Sequence, residues 1–336
     1  MDRIDRQIVH CLQRDGRIPF RRIGEVLGVS EQTVARRYRA LCETGALRVM
    51  VLPEVRGVGG QSWFVRILCR PGTADAIARS IAARPDVSRV GLASGGSEIL
   101  CAIHTSADNG GTVLLERLPQ VAHILRFDAA AVMHTYTGAD TPWLAFDDPL
   151  TPAQVELLVE GPVPVRAPAE KPSSTSLSSD DDALLAQLAA DGRSSIAALA
   201  TATGWPTSRV ATRLSDLFAT GTVATEVDLT PEQFGFNTTA FLWLTVPPGE
   251  LEATAQALAR HAETGFAAAM TGNANLMLAV TCRDTDALYQ YVTTKVGALA
   301  AVQHVEVVPV LRRVKQGGTL VINGRLKPPE SSRPPR

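Results

Sequence analysis

Apolar residues in the first fifty positions recur at helical spacing: Ile4, Ile8 and Leu12, then Ile23, Val26 and Leu27, then Val34, Tyr38 and Leu41. Gly16 and Gly28 punctuate the three runs. Ser30 stands where the third helix needs an oxygen for its unpaired N–H groups, so that helix is expected to begin at Glu31. Gly45 supplies a left-handed stop, and the β-branched stretch LRVMVLPEV then reads as a wing strand. Residues 1–56 are therefore expected to form a winged helix-turn-helix. From residue 60 to 140 the pattern changes. SWFVRILC, VSRVGLA, EILCAIHT and HILRFDAAAVMHTYT read as strands, while TADAIARSIAA and residues 110–118 read as helices. The order is βαββαβ, a ferredoxin-like motif.

The chain then answers itself. At an offset of 176 residues, Asp15-Gly16-Arg17 meets Asp191-Gly192-Arg193, Gly28 meets Gly204, Arg37 meets Arg213, and Thr44-Gly45 meets Thr220-Gly221. At an offset of 177, Pro71-Gly72 meets Pro248-Gly249 and Ser94-Gly95 meets Thr271-Gly272. A fixed internal period marks a repeat. The expected fold is α+β, with a second, degenerate winged helix-turn-helix over 179–232 and a second ferredoxin-like domain over 237–316. Residues 147–178, rich in Pro, Ser and charge, read as a linker with one helical turn at 152–159. The end of the chain, 326–336, reads as a disordered tail.

Composition narrows the chemistry. The 336 residues are 45% hydrophobic and carry a formal net charge of −1, so no global field points to a polyanion. Cys11, Cys42, Cys69, Cys101 and Cys282 are scattered, without a CxxC, as expected of reduced thiols in a cytoplasmic protein. No run of about 18 apolar residues suggests a membrane span, and the charged start does not resemble a signal peptide. The six histidines show no metal-ligand spacing, and no GxGxxG, P-loop or GxSxG motif occurs. No catalytic residue, metal or cofactor is expected.

Local charge is more informative. Residues 1–56 hold eleven arginines against seven acids, a net of +4. Residues 176–235 hold three arginines against eight acids, a net of −5. An Arg-rich helix face is ordinarily just solvated. Here it occupies the second helix of a helix-turn-helix pair, which lies in the major groove of DNA. Gln32, Thr33, Arg36 and Arg37 are expected on its outer face or rim, where Gln can pair with adenine and Arg with guanine or phosphate. Arg21 and Arg22, early in the preceding helix, and the capping Ser30 complete the expected DNA-binding set. The acidic second copy, with Pro206 in place of the capping Ser and Thr207 as a substitute cap, is expected to bind DNA weakly or not at all.

MDRIDRQIVHCLQRDGRIPFRRIGEVLGVSEQTVARRYRALCETGAL resembles the start of the Lrp/AsnC (feast/famine) transcription regulators. The resemblance implies a sequence-specific DNA-binding regulator whose βαββαβ domain senses a small effector, often an amino acid, and assembles the protein into homo-oligomers. It further implies a Thr-Gly-x-x-Asp turn at the effector site. The matching turns read Ser94-Gly95-Gly96-Ser97-Glu98 and Thr271-Gly272-Asn273-Ala274-Asn275, making Ser94, Gly95, Glu98, Thr271, Gly272 and Asn275 the candidate ligand-binding residues. One chain would form an internal pseudo-dimer and pair again on double-stranded DNA at the nucleoid. Two rival readings stay open. One is an enzyme resembling siroheme decarboxylase, which shares this plan, although VSRVGLA and EILCAIH lack the expected His and Tyr pairs. The other is a small-molecule sensor that does not bind DNA.

Overall fold

The computed structural model describes residues 1–53, 60–105, 116–138, 143, 148–159 and 177–327. They divide into two units. The first draws on 1–59, 148–229 and 325–336, the second on 60–147 and 230–324.

In the first unit, α1 (Arg3–Arg14), α2 (Phe20–Leu27) and α3 (Glu31–Glu43) close around Ile8, Leu12, Ile23, Val34 and Leu41, all buried. Each contributes one stripe of its surface, as the helical spacing requires. A second head repeats the order with α6 (Asp182–Ala190), α7 (Ile196–Thr203) and α8 (Thr207–Ala219) around Leu184, Leu188, Leu199, Val210 and Leu217. No side chain caps α8: its N-cap is Pro206, and Thr207 is already helical. The strands that follow, β1 (Leu47–Pro53) and β6 (Val223–Leu229), differ from the expected wings. They pair with one another, antiparallel, from Leu47↔Leu229 to Pro53↔Val223. A lone strand leaves a row of N–H and C=O groups unpaired, and each head's strand satisfies the other's. β1 also buries Val51 in the core of the second head. Residues 152–159, expected as a single turn within a linker, form helix α5 (Pro152–Val159), held against α2 by Gln154 Nε2 donating to the Val26 carbonyl at 3.2 Å. Linker residues 160–176, residues 54–56 of the first head, residues 110–115 of the helix expected at 110–118, residues 139–140 and the tail from 328 onward lie outside the described residues.

The second unit is built on antiparallel strands. β2 (Gln61–Cys69), α4 (Ala74–Ala82), β3 (Val87–Ala93), β4 (Glu98–Thr105) and β5 (Ile124–Thr137) come first. They are followed by β7 (Thr238–Thr245), α9 (Leu251–Ala259), β8 (Thr264–Met270), β9 (Leu276–Cys282), α10 (Thr285–Gln290) and β10 (His304–Gln316). A short strand, β11 (Thr319–Ile322), folds back on β10. The hydrogen-bonded order β10-β3-β4-β2-β5-β8-β9-β7 closes on itself, because β10 also pairs with β7. The long strands β5 and β10 close the ring: β5 leaves β2 after Ala131 and joins β8 at Val132, while β10 leaves β7 after Pro309 and joins β3 at Val310. Side chains alternate with the pleat. Along β2, Phe64 joins Trp243, Met270, Met277 and Val308 inside the ring, while Val65 and Ile67 pack with Ala78 and Ile81 of α4. Closure removes the sheet edges, leaving a two-sheet sandwich with helices outside.

Candidate nucleic-acid interface

The turn between α2 and α3 is set by its residues. Gly28 ends α2 with φ +68°, a conformation that penalises any residue with a Cβ. Ser30 Oγ accepts the Thr33 N–H at 3.2 Å and lies 2.9 Å from Thr33 Oγ1. Of the expected DNA-binding residues, Ser30 and Thr33 are thus engaged in capping. Tyr38 packs on Phe20, ring centres 5.1 Å apart, locking α3 onto α2.

The neighbouring arginines of α3 have different fates. Arg37 is drawn to the start of α1 and donates to Asp2 Oδ2 at 2.7 Å and Asp5 Oδ1 at 2.8 Å. These bonds, that to Asp5 foremost, raise the pKa of its guanidinium. Arg36 is exposed one position earlier and has no internal partner among the described residues, and Gln32, one turn before it, is likewise exposed and unpartnered. Arg39 bonds only to the Ala35 carbonyl of its own helix. On α2, Arg21 pairs loosely with Glu25 at 3.1 Å and remains 80% exposed. Arg22 also pairs with Glu25, at 3.2 Å, and donates to the Leu157 carbonyl of α5. The Arg22 hydrogen bond holds the Glu25 carboxyl below its usual range. Among the arginines of α2 and α3, Arg21, Arg36 and Arg39 are exposed and bonded to no other element, and Gln32 is exposed beside Arg36 on α3. Sequence reasoning missed the carboxylates that hold Arg37. Their signal was the matched pair Asp5/Arg37 and Asp181/Arg213, both at the repeat offset; Arg213 Nη2 lies 2.6 Å from Asp181.

The two expected effector turns lie in the second unit. Glu98 is nearly buried: Arg66 Nε donates to it at 2.7 Å, and Ser94 Oγ at 2.6 Å. Arg66 also forms a two-pronged pair with Glu306 at 2.7 and 2.8 Å and lies 5.2 Å from the Trp243 ring. Gly95 has φ +67° and makes no polar side-chain contact. Thr271 Oγ1 accepts the Ala131 N–H at 2.8 Å. Asn275 clasps the Val246 backbone, accepting its N–H at 3.0 Å and donating to its carbonyl at 2.7 Å. Gly272 lies in the same turn, with φ +103°. The polar ends of both turns are thus occupied by the chain itself. Among the described residues, no helix is long and apolar enough to cross a membrane, and no group of three His, Cys, Asp or Glu could hold a metal.

Comparison with known proteins agrees with this geometry. Residues 1–41 match the AsnC-type helix-turn-helix domain, and residues 239–320 match the Lrp/AsnC ligand binding domain. The HTH-type transcriptional regulator FL11 of Pyrococcus abyssi (strain GE5 / Orsay) is 30% identical over 108 residues, covering 31% of this chain and 71% of the relative. The FL11 of Pyrococcus horikoshii is 29% identical over the same length and shares. Among solved structures, the siroheme decarboxylase NirDL superposes with a TM-score of 0.61 over 94% of this chain and 93% of its own, at 12% identity, a likeness of fold alone. A capped reading helix with a cationic outer edge, the two domain matches and the FL11 relatives lead to one conclusion: the chain belongs to the Lrp/AsnC family of DNA-binding transcriptional regulators.

Proposed function

We propose that the protein is a tandem form of this family, with two helix-turn-helix and βαββαβ copies in one chain, and that its amino-terminal head reads duplex DNA. Gln32 and Arg36 of α3 make the base contacts, and Arg21 meets phosphate. Ser30, Thr33 and Arg37 fix the helix that presents them. The observation that carries this is the pair of exposed, unpartnered side chains at Gln32 and Arg36 on a helix whose every other anchor is satisfied. Such groups reach base edges without breaking an internal bond. The regulator acts without catalysis in the cytoplasm, and a second chain supplies the second active head on a palindromic site. An amino-acid effector at either turn has to exchange with Arg66 or with the Val246 backbone, which makes effector control secondary to DNA reading.

Fluorescence anisotropy on a duplex selected by genomic footprinting tests the reading. Arg36→Ala should weaken binding about ten- to 100-fold, the 1–3 kcal/mol of a lost base contact. Equal affinity in wild type and variant would overturn it. The whole-chain likeness to NirDL keeps tetrapyrrole decarboxylation as a second reading. The one histidine on β3 or β4, His104, is held between Ser62 at 3.0 Å and Ser88 at 2.7 Å. A colourless protein that leaves a tetrapyrrole spectrum unchanged disposes of that reading.

A further inference from the structure

Within the first unit, the two heads meet as the halves of a symmetric dimer would. In the β1–β6 ribbon Met50 faces Glu226, the residue 176 positions on and therefore its own counterpart in the repeat. A two-fold axis passes between a residue and its equivalent across an isologous contact. The arginines agree. Arg17 donates to the carbonyls of Gly192 and Ser194, and Arg193 returns the contact to those of Gly16 and Ile18. The second head thus holds the position that a partner's head holds in a homodimer.

Its chemistry is different. The counterparts of Gln32 and Arg36 are Ser208 and Thr212, and those of Arg21 and Arg22 are Ala197 and Ala198. All three of its arginines are engaged. Arg193 is bonded as above and lies 4.2 Å from the Phe20 ring. Arg209 lies 3.9 Å from the Trp205 ring and 3.3 Å from Asp180. Arg213 is paired with a buried Asp181. Asp216 of α8 is exposed, and so is Asp180, in the turn that precedes α6. A helix with no uncommitted cation and an exposed carboxylate releases no counterions and repels phosphate.

Resting on the reading of the first head as the DNA reader, we propose that one chain recognises a single, asymmetric half-site. The ribbon and the exchanged arginines lock the second head into the partner position, where its acidic face excludes a symmetric duplex from spanning both heads. The DNA taken by one chain is short and non-palindromic, and a palindrome takes two chains.

Selection from random duplexes with full-length protein, followed by hydroxyl-radical footprinting and native mass spectrometry of each complex, tests this. The expected product is one asymmetric motif per bound chain, with inverted repeats occupied by two. Thr212→Ala should leave affinity within about two-fold, where Arg36→Ala loses about ten-fold or more. Ser208→Gln/Thr212→Arg/Asp216→Ala, which changes exposed positions only, should lengthen the one-chain footprint to two half-sites. One wild-type chain protecting both halves of an inverted repeat, or Thr212→Ala weakening binding as much as Arg36→Ala, would overturn this inference and leave the first head's role intact. Failure of the protein to bind any duplex would instead remove that role, and this inference with it.

Discussion

Arg36 and Arg37 are neighbours in sequence and opposites in duty. Arg37 fastens α3 to the start of α1 through Asp2 and Asp5, and Arg36 stays exposed without an internal partner among the described residues. Arg37→Ala should therefore lower unfolding free energy by about 1 kcal/mol, the scale of a charge-assisted hydrogen bond that is partly screened, measured by urea denaturation. Arg36→Ala should leave that quantity unchanged. His10 gives the first head a pH limit. Burial, aided by the nearby Arg14, pushes its pKa down from 6.5 to about 4. The folded state keeps it neutral while the unfolded chain takes up a proton below pH 6.5. Stability is then full above pH 6.5 and falls as pH drops toward 4, by up to about 3 kcal/mol from this residue. His10→Gln should flatten that slope in denaturation series between pH 7 and pH 4. Much at this scale was legible in sequence: Ser30 caps where its position demanded, and Val34 and Leu41 are buried. The split between Arg36 and Arg37 was not, because the deciding carboxylates lie more than thirty residues away.

Among the elements, helices announced themselves through spacing, and strand partners did not. The stretch from Leu47 read as a strand and forms one, but its partner lies in β6, on the far side of the linker, and nothing local encodes a pairing at that distance. Propensity names a strand; packing against its neighbour decides where it goes. Helix α5 was underestimated for a related reason, since Gln154 and the Leu157 carbonyl gain partners only once α2 is folded beside them. The ribbon also carries a steric condition. A Cβ on Gly192 would stand 2.6 Å from the Met50 carbonyl carbon, with backbone on the facing side and no flexible side chain to yield. Gly192→Ala should cost about 1–3 kcal/mol, the usual penalty of overpacking, and should loosen the two heads. Limited proteolysis with faster cleavage near β1 would report it, and a variant as stable as wild type would contradict the register.

For the molecule as a whole, the two halves of the chain contribute alike to packing and unlike to surface charge. The eight-stranded ring and the ribbon each draw strands from both halves, so both halves are needed for packing. The outward side chains are under no such demand: where Gln32 and Arg36 are exposed, the positions 176 residues on hold Ser208 and Thr212. The central claim is that the basic head engages DNA through α3 and the start of α2. The most direct test titrates a selected duplex with wild type, Arg36→Ala and Arg21→Ala across a range of salt. Affinity should fall linearly in log–log form with salt, Arg36→Ala should be about ten- to 100-fold weaker, and Arg21→Ala should reduce the slope by about one. A wild-type protein indifferent to every duplex at low salt, or an Arg36→Ala variant that binds as tightly as its parent, would contradict the account.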